Sequence, residues 1–244
     1  MASQNRLHAT KFEELIRRRG RIVKWQEAIV CSCWNLDSGQ PQYGCQACKG
    51  LGHTYAPPIE DIALVMSVAH NKEFEESAGV FEIGDAVMSV GFHVPVLNEK
   101  TGLVNTTVQG RKDPLFHVGM YDLITLTDDE YKTSEILIKD TDIYERPADT
   151  LINEDVVDVL SVRKSNPATG ELIHYRLGDD FEVHGNQIHW VGNQPSTGEQ
   201  YAVQYTHRPM FTVLTQLPTP RYQDGQDMPK RVALRYRAGG FDRR

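Results

Sequence analysis

Beyond Ile59, apolar and polar residues alternate with a period of two, and this pattern predicts strands rather than helices. Residues 62–68, 86–90, 94–97, 121–126, 136–139, 156–163, 172–177, 181–184, 187–191 and 201–206 all read as short β segments. Turn-rich pieces at 98–102, 166–170 and 193–198 separate them, and no long helical period intervenes. Many short strands with regular turns predict antiparallel barrels or sandwiches, not a parallel sheet with crossover helices. Helical spacing occurs near the start of the chain. Thr10 and Glu13 have capping-box spacing, Phe12, Leu15 and Ile16 share one face, and Gly20 stands where a left-handed C-cap belongs. They predict one short amphipathic helix over about 11–19.

Interruptions in the pattern divide the chain. Ala56-Pro57-Pro58 forms a stiff boundary, because proline restricts its own backbone and that of the residue before it. A second break falls at 143–149. The expected fold is mainly β: two antiparallel β-barrel or β-sandwich modules over 59–142 and 143–217. A basic N-terminal helix or arm (1–25) and a small zinc-binding segment (26–58) precede them, and an extended basic C-terminal arm (218–244) follows. Within that arm, 232–236 has the composition to add one strand to this fold or to a neighbouring subunit.

Charge sharpens this division. The net charge is -7 over 244 residues. The first 25 residues hold seven basic side chains against two acidic (+5), and the last 24 hold seven against three (+4), so the body between them carries -16. Basic ends around an acidic body suit nucleic acid, and they equally suit self-assembly in which each basic tail meets a neighbour's acidic face. No stretch approaches the roughly 18 to 20 apolar residues of a membrane span, and residues 1–6 lack the apolar run of a secretory signal. The expectation is a soluble protein made in a reducing cytoplasm, with no membrane partner, where cysteines persist as thiols or metal ligands.

All four cysteines of the chain fall between positions 31 and 48, as Cys31-Ser32-Cys33 and Cys45-Gln46-Ala47-Cys48. A C-x-x-C knuckle lets two thiolates reach one ion, and Gly44, Gly50 and Gly52 permit a tight backbone around it. Cys31, Cys33, Cys45 and Cys48 are therefore the candidate ligands of a structural Zn²⁺. Four thiolates close a tetrahedral shell and leave no position for water or substrate. His53 is an alternative to one of the cysteines.

Other candidate groups carry less chemistry. Asp128-Asp129-Glu130 reads as a solvated turn between strands. His174, His184 and His189 read as cross-strand polar neighbours, and Trp190, Tyr201 and Tyr205 as core or cross-strand aromatics. The chain contains no phosphate-cradling glycine loop, nucleophile elbow or H-E-x-x-H zinc helix in a convincing context, so an enzyme is not expected.

Two stretches carry a resemblance. The arginine-rich helix followed by Cys31-Ser32-Cys33-Trp34, Gly39-Gln40-Pro41 and the run from Gly44 to Tyr55 resembles the opening of virion proteins at the head-to-tail junction of tailed bacteriophages. Gly178 to Val183, with Ile188-His189-Trp190, Pro195, Gly198 and Tyr201 to Tyr205, is similar to β modules of phage neck and tail proteins. The spacing Cys45-x-x-Cys48-x-Gly50-x-Gly52 also resembles the cysteine-rich repeat of DnaJ-type chaperones. It occurs once, so chaperone activity is not implied. The phage resemblance implies a structural virion protein, synthesised in the bacterial host cytoplasm. It would form a homo-oligomeric ring around the DNA channel, contact neighbouring neck, portal or tail proteins, and touch packaged DNA without sequence preference. Alternatives are a tail or baseplate structural protein, or a nucleic-acid-binding zinc protein in which Arg17-Arg18-Arg19 and the knuckle contact phosphates.

Overall fold

The computed structural model describes residues 9–67, 84–91, 96–97, 104–105, 117–141, 148–166, 169–217, 222–223, 226–227 and 229–237. Helix α1 (Ala9–Arg19) leads into β1 (Arg21–Gln26). A lobe of short strands follows: β2 (Ala28–Val30), β3 (Trp34–Asn35), β4 (Gln40–Pro41) and β5 (His53–Tyr55). Next come β6 (Ile59–Ser67), β7 (Ala86–Val90), the paired β8 (Val96–Leu97) and β9 (Val104–Asn105), and β10 (Leu123–Leu126). The chain continues through β11 (Tyr131–Ile138), β12 (Val156–Ser165), β13 (Leu172–Tyr175), β14 (Phe181–His184), β15 (Gln187–Trp190) and β16 (Gln200–His207). It returns through β17 (Met210–Gln216), the paired β18 (Tyr222–Gln223) and β19 (Gln226–Asp227), and β20 (Lys230–Tyr236). The protein is mainly β, as the alternation predicts.

Six strands close into an antiparallel barrel in the order β1-β10-β17-β20-β7-β6, with β6 pairing back to β1. Closure leaves no strand edge unpaired. Each strand points alternate residues inward: Val23 and Trp25, Ala63 and Val65, Met88 and Val90, Ile124 and Leu126, Phe211 and Val213, Val232 and Leu234. Burying a side chain of this size contributes about 1.5–3 kcal/mol relative to leaving it exposed. The outer face of β7 is covered as well, where Val87 meets Leu217 and Ala233.

The described residues form two compact units, one from 1–127 with 210–236, the other from 128–209 with Arg237. The expected modules at 59–142 and 143–217 are thus drawn differently: Tyr131–Ile138 belongs to the second unit, and Met210–Gln216 to the barrel. Most of the expected break at 143–149 lies outside the described residues. The N-terminal arm is corrected too, since Arg21–Gln26 is a barrel strand. In the C-terminal segment the strand anticipated at 232–236 forms as Lys230–Tyr236 and joins this chain's own barrel, paired on both sides by β17 and β7. The barrel pairs strands far apart in the chain, Leu234 opposite Ala86 and Gln26 opposite Leu123, and local alternation carries no sign of that pairing.

In the second unit, β11-β16-β12-β13 form a four-stranded antiparallel sheet beside the separate hairpin β14-β15. Their shared core includes Leu137, Val162, Phe181, Ile188, Tyr201 and Tyr205. Trp190 meets Tyr175, Phe181 and Tyr201 edge to face, as its core reading predicts. Several buried polar groups here are hydrogen-bonded to one another. The Tyr201 hydroxyl donates to Asp149 Oδ1 at 2.5 Å, the Tyr205 hydroxyl donates to Glu135 Oε1 at 2.9 Å, and Lys139 pairs with Asp149 at 3.4 Å.

Gly20 plays a part other than the expected cap. Its φ is not left-handed; instead a Cβ there would stand 2.2 Å from the Ile16 carbonyl oxygen and 2.4 Å from Ile62 Cγ2. Glycine is required because the end of α1 lies directly on the barrel wall.

Candidate metal centre

The cysteine lobe is anchored at its root by a buried carboxylate. Asp122 Oδ1 accepts the Ala28 N–H at 2.8 Å, and its Oδ2 accepts Trp25 Nε1–H and Gly119 N–H, both at 2.7 Å. Three donors to one carboxylate compensate its burial and hold the chain where it leaves β1. From there β2 and β5 pair as a short ribbon, Ala28 opposite Tyr55 and Val30 opposite His53. Between them, β3 and β4 form a hairpin whose turn is held by Asn35 Oδ1, which accepts the N–H groups of Asp37 and Ser38.

Each cysteine pair leaves this frame at a backbone reversal. Cys31 N–H donates to Gly52 O at 2.8 Å, and Gln42 N–H donates to Cys33 O at 3.3 Å, so the first pair is tied to both ends of the second loop. After Cys45, Lys49 N–H donates back to Cys45 O at 2.8 Å and Leu51 N–H to Cys48 O at 2.9 Å. Lys49, Gly50 and Gly52 all have left-handed φ, at 51°, 82° and 80°. At Gly52 the requirement is also spatial: a Cβ would lie 2.6 Å from the Trp34 ring. Gly44 has neither a left-handed φ nor a close neighbour, so its predicted role in the turn is not needed.

These reversals bring the four sulfurs together. All lie within 4.8 Å of one another; Cys31 and Cys45 Sγ are 3.8 Å apart, Cys33 and Cys48 Sγ 3.4 Å. A tetrahedral thiolate site with bonds of about 2.3 Å has edges of about 3.8 Å, so the spacing fits one ion at the centre. Cys31 and Cys48 are buried, while Cys33 and Cys45 are half-buried. Among the described residues, this is the set of three or more His, Cys, Asp or Glu donors that converges closely enough to hold a metal ion.

The sulfurs differ in acidity. Burial pushes the Cys33 thiol up to about 12, with the hydrogen bond to Cys48 adding to the effect. The backbone N–H groups of Cys48 and Ala47 bring Cys45 down to about 6. A knuckle that aims N–H groups at a sulfur stabilises it as thiolate, the form that ligates metals.

His53 is used differently. Its ring stacks on Tyr121 with centroids 4.5 Å apart, and Nδ1 lies 3.3 Å from Leu51 O, so it braces the lobe outside the sulfur cluster. Asp128-Asp129-Glu130 lies in the link between β10 and β11. His184 and His189 share one face of the β14-β15 hairpin, their rings 4.7 Å apart, with Glu182 Oε2 3.2 Å from His184 Nε2; this is the cross-strand neighbourhood expected of them. His174 lies on the end strand β13, opposite Arg163. Sequence reasoning missed Asp122 and Tyr121. Neither sits in a motif, and both act on the lobe from some 70 to 90 residues away in the chain. No protein-family model matches the chain, and no curated protein matches it.

Proposed function

We propose that this chain is a structural protein of the neck or tail of a tailed bacteriophage. In this reading it is a subunit of a ring around the DNA channel linking head and tail, and Cys31, Cys33, Cys45 and Cys48 hold a structural Zn²⁺. The observation that carries the reading is the lobe itself. Its thiol set leaves no coordination position for a substrate, while its surface exposes Ile29, Val30, Leu51, Leu36 (92%) and Tyr43 (75%) to solvent. A two-stranded ribbon has two open faces and cannot bury its own apolar residues. Apolar and aromatic residues displayed on a stapled lobe whose charges between Ala28 and Tyr55 are only Asp37 and Lys49 suit a protein interface. The resemblance of the cysteine segment to openings of head-to-tail junction proteins points to the same assembly role.

Zinc is proposed because it favours tetrahedral thiolate sites without redox chemistry; iron accepts the same geometry, so metal analysis separates them. Protein purified under reducing conditions is expected to contain one zinc per chain, with a tetrahedral thiolate spectrum after cobalt substitution. Iron in its place, or no metal, overturns the assignment. The assembly role is tested by peptide identification in purified particles, where the chain must be stoichiometric. Affinity for duplex DNA should be weak, sequence-independent and steeply salt-dependent. A tight complex with one defined sequence would replace this reading with that of a nucleic-acid-binding zinc protein.

A further inference from the structure

The second unit buries an amine among carboxyl groups. Lys139, the residue after β11, is 6% exposed, and Asp149 is 7% exposed. Lys139 Nζ donates to Asp149 Oδ2 at 3.4 Å and contacts Asp140 Oδ1 as well. The other oxygen of Asp149 accepts the Tyr201 hydroxyl at 2.5 Å. Tyr201 is itself buried, with Trp190 edge to face against it, so the group faces an aromatic wall.

Backbone contacts hold these side chains from both sides. Lys139 N–H donates to Glu199 O and Gly198 N–H donates to Lys139 O, each at 2.9 Å, which fixes Lys139 to the turn before β16. Ile188 N–H donates to Asp149 O at 3.0 Å, which fixes Asp149 to the β14-β15 hairpin. Among the described residues, four that are not glycine have a left-handed φ. Lys49 and Tyr121 belong to the cysteine lobe and its brace; the other two are Asp140 and Asp149, both at 56°. Such backbones persist where the surroundings dictate them, as they do where groups are brought together for chemistry.

An ion pair alone gives little reason for this arrangement, because desolvating two charges offsets most of their attraction. The set has a further property: a nucleophilic amine, a carboxyl carbon, an acceptor for the amine's proton and a donor aimed at the carboxyl oxygen are held in contact. We propose that Lys139 and Asp149 condense to an isopeptide bond, which ties the end of β11 to the segment packed on the β14-β15 hairpin. One proton moves from Nζ to Asp149 Oδ2 along their hydrogen bond, leaving a neutral amine and a carboxylic acid. Nζ then attacks Asp149 Cγ, while the Tyr201 hydroxyl steadies the charge that develops on Oδ1. Asp140 accepts the proton that Nζ sheds in the attack; hydrogen bonds from Lys139 and Thr197 hold its carboxyl below the ordinary carboxylate range, so it is ionised and ready. It returns that proton to Oδ2, the Cγ–Oδ2 bond breaks with its electron pair on oxygen, and water leaves. The amide nitrogen keeps one hydrogen, nothing is oxidised or reduced, and no further reactant enters. The bond does not depend on the assembly reading.

Mass spectrometry of the full chain under denaturing conditions tests it. The purified protein should be lighter than its sequence by one water. Trypsin should no longer cut after Lys139, and fragmentation should give no backbone ions between positions 139 and 149, since a break there leaves both pieces joined. Lys139→Arg and Asp149→Ala should each return to the full sequence mass. A misfolded variant would also lack the bond, so the unmodified chain carries the decision. The proposal is overturned if the folded chain keeps its full mass, or if the lost water accompanies normal cleavage after Lys139, as a succinimide elsewhere would give. Tyr201→Phe keeps the ring and removes the donor, and should slow linkage in freshly refolded chain by about a hundredfold. Linkage at the unmodified rate overturns the part given to Tyr201.

Discussion

In the barrel, Val23, Met88, Val90, Ile124, Val213, Val232 and Leu234 are removed from water completely; in the lobe, the buried residues are Cys31, Cys48 and Gly52. Both belong to the same compact unit and β1 runs directly from one into the other, yet they are stabilised by different physics. Six strands can enclose an apolar interior, and enclosure removes enough surface from water to offset the entropy of ordering the chain. A lobe of two- and three-residue strands encloses nothing of that kind. Its stability must come from the backbone reversals that aim the sulfurs, from its anchor on Asp122 and, where the four thiols hold an ion, from the bonds to it. The contrast is sharp enough to break experimentally.

The largest effect should follow removal of β20. A chain ending at Leu217 loses the strand between β17 and β7, which opens the barrel and exposes two edges. The cooperative thermal transition of the barrel should disappear, and amide exchange should show its strands unprotected. A retained transition would mean that the C-terminal segment is an arm after all.

Metal removal should do the reverse. Structural zinc sites of this kind bind with about 10–16 kcal/mol near neutral pH, so a strong chelator, or Cys45→Ser, should unfold 28–55 while the barrel keeps its protection. Amide exchange with and without chelator reads both regions in one experiment. If barrel and lobe open together, the division between them fails.

Leu234→Ala creates a cavity in the fully enclosed interior and should lower barrel stability by about 2–5 kcal/mol in denaturant titration, with metal content unchanged. Gly52→Ala should act on the other side. The added methyl meets the Trp34 ring in a left-handed backbone, a strain of about 1–3 kcal/mol, which should appear as weaker metal affinity in competition with a chromophoric chelator while the barrel melt stays in place.

The smallest effect concerns acid. His207, buried in the second unit, has its pKa lowered by that burial; Nδ1–H faces the Arg208 carbonyl at 3.2 Å and Nε2 the Thr133 hydroxyl at 3.0 Å. The unfolded chain therefore binds a proton before the folded one does. Stability is complete above the ordinary histidine value of about 6.5 and declines below it, by at most about 1.4 kcal/mol per pH unit, until the folded pKa is reached. Denaturant midpoints between pH 7.5 and 5 measure the slope, and His207→Gln should flatten it. The lobe, in contrast, should respond to acid through competition of protons with metal at its sulfurs, so metal release followed over the same range separates the two.

Much of this was legible in the chain. Strands 86–90 and 181–184 match their predicted bounds, because short runs of strand-forming residues are local properties. The four cysteines converge as their clustering implies, since only eleven residues separate the two pairs and the β3-β4 hairpin turns the chain back between them. Other strands were invisible for a physical reason. In Arg21–Gln26, Val23 and Trp25 flank Lys24 in a six-residue run that starts on Arg21 beside an arginine-rich helix, and that stretch reads as a basic arm until β6 and β10 are set against it. Lys230–Tyr236 has the same ambiguity, resolved only by its two neighbours in the barrel.

Sequence alone determined the β character, the cysteine cluster and the asymmetry of charge, because alternation, spacing and formal charge are written residue by residue. Tertiary structure alone decided that Arg21–Gln26 and Lys230–Tyr236 are barrel wall, that Asp122 and Tyr121 brace the lobe, and that Gly20 is a point of contact rather than a cap. Each of these depends on groups distant in the chain meeting in space, and no local pattern encodes which distant group will arrive.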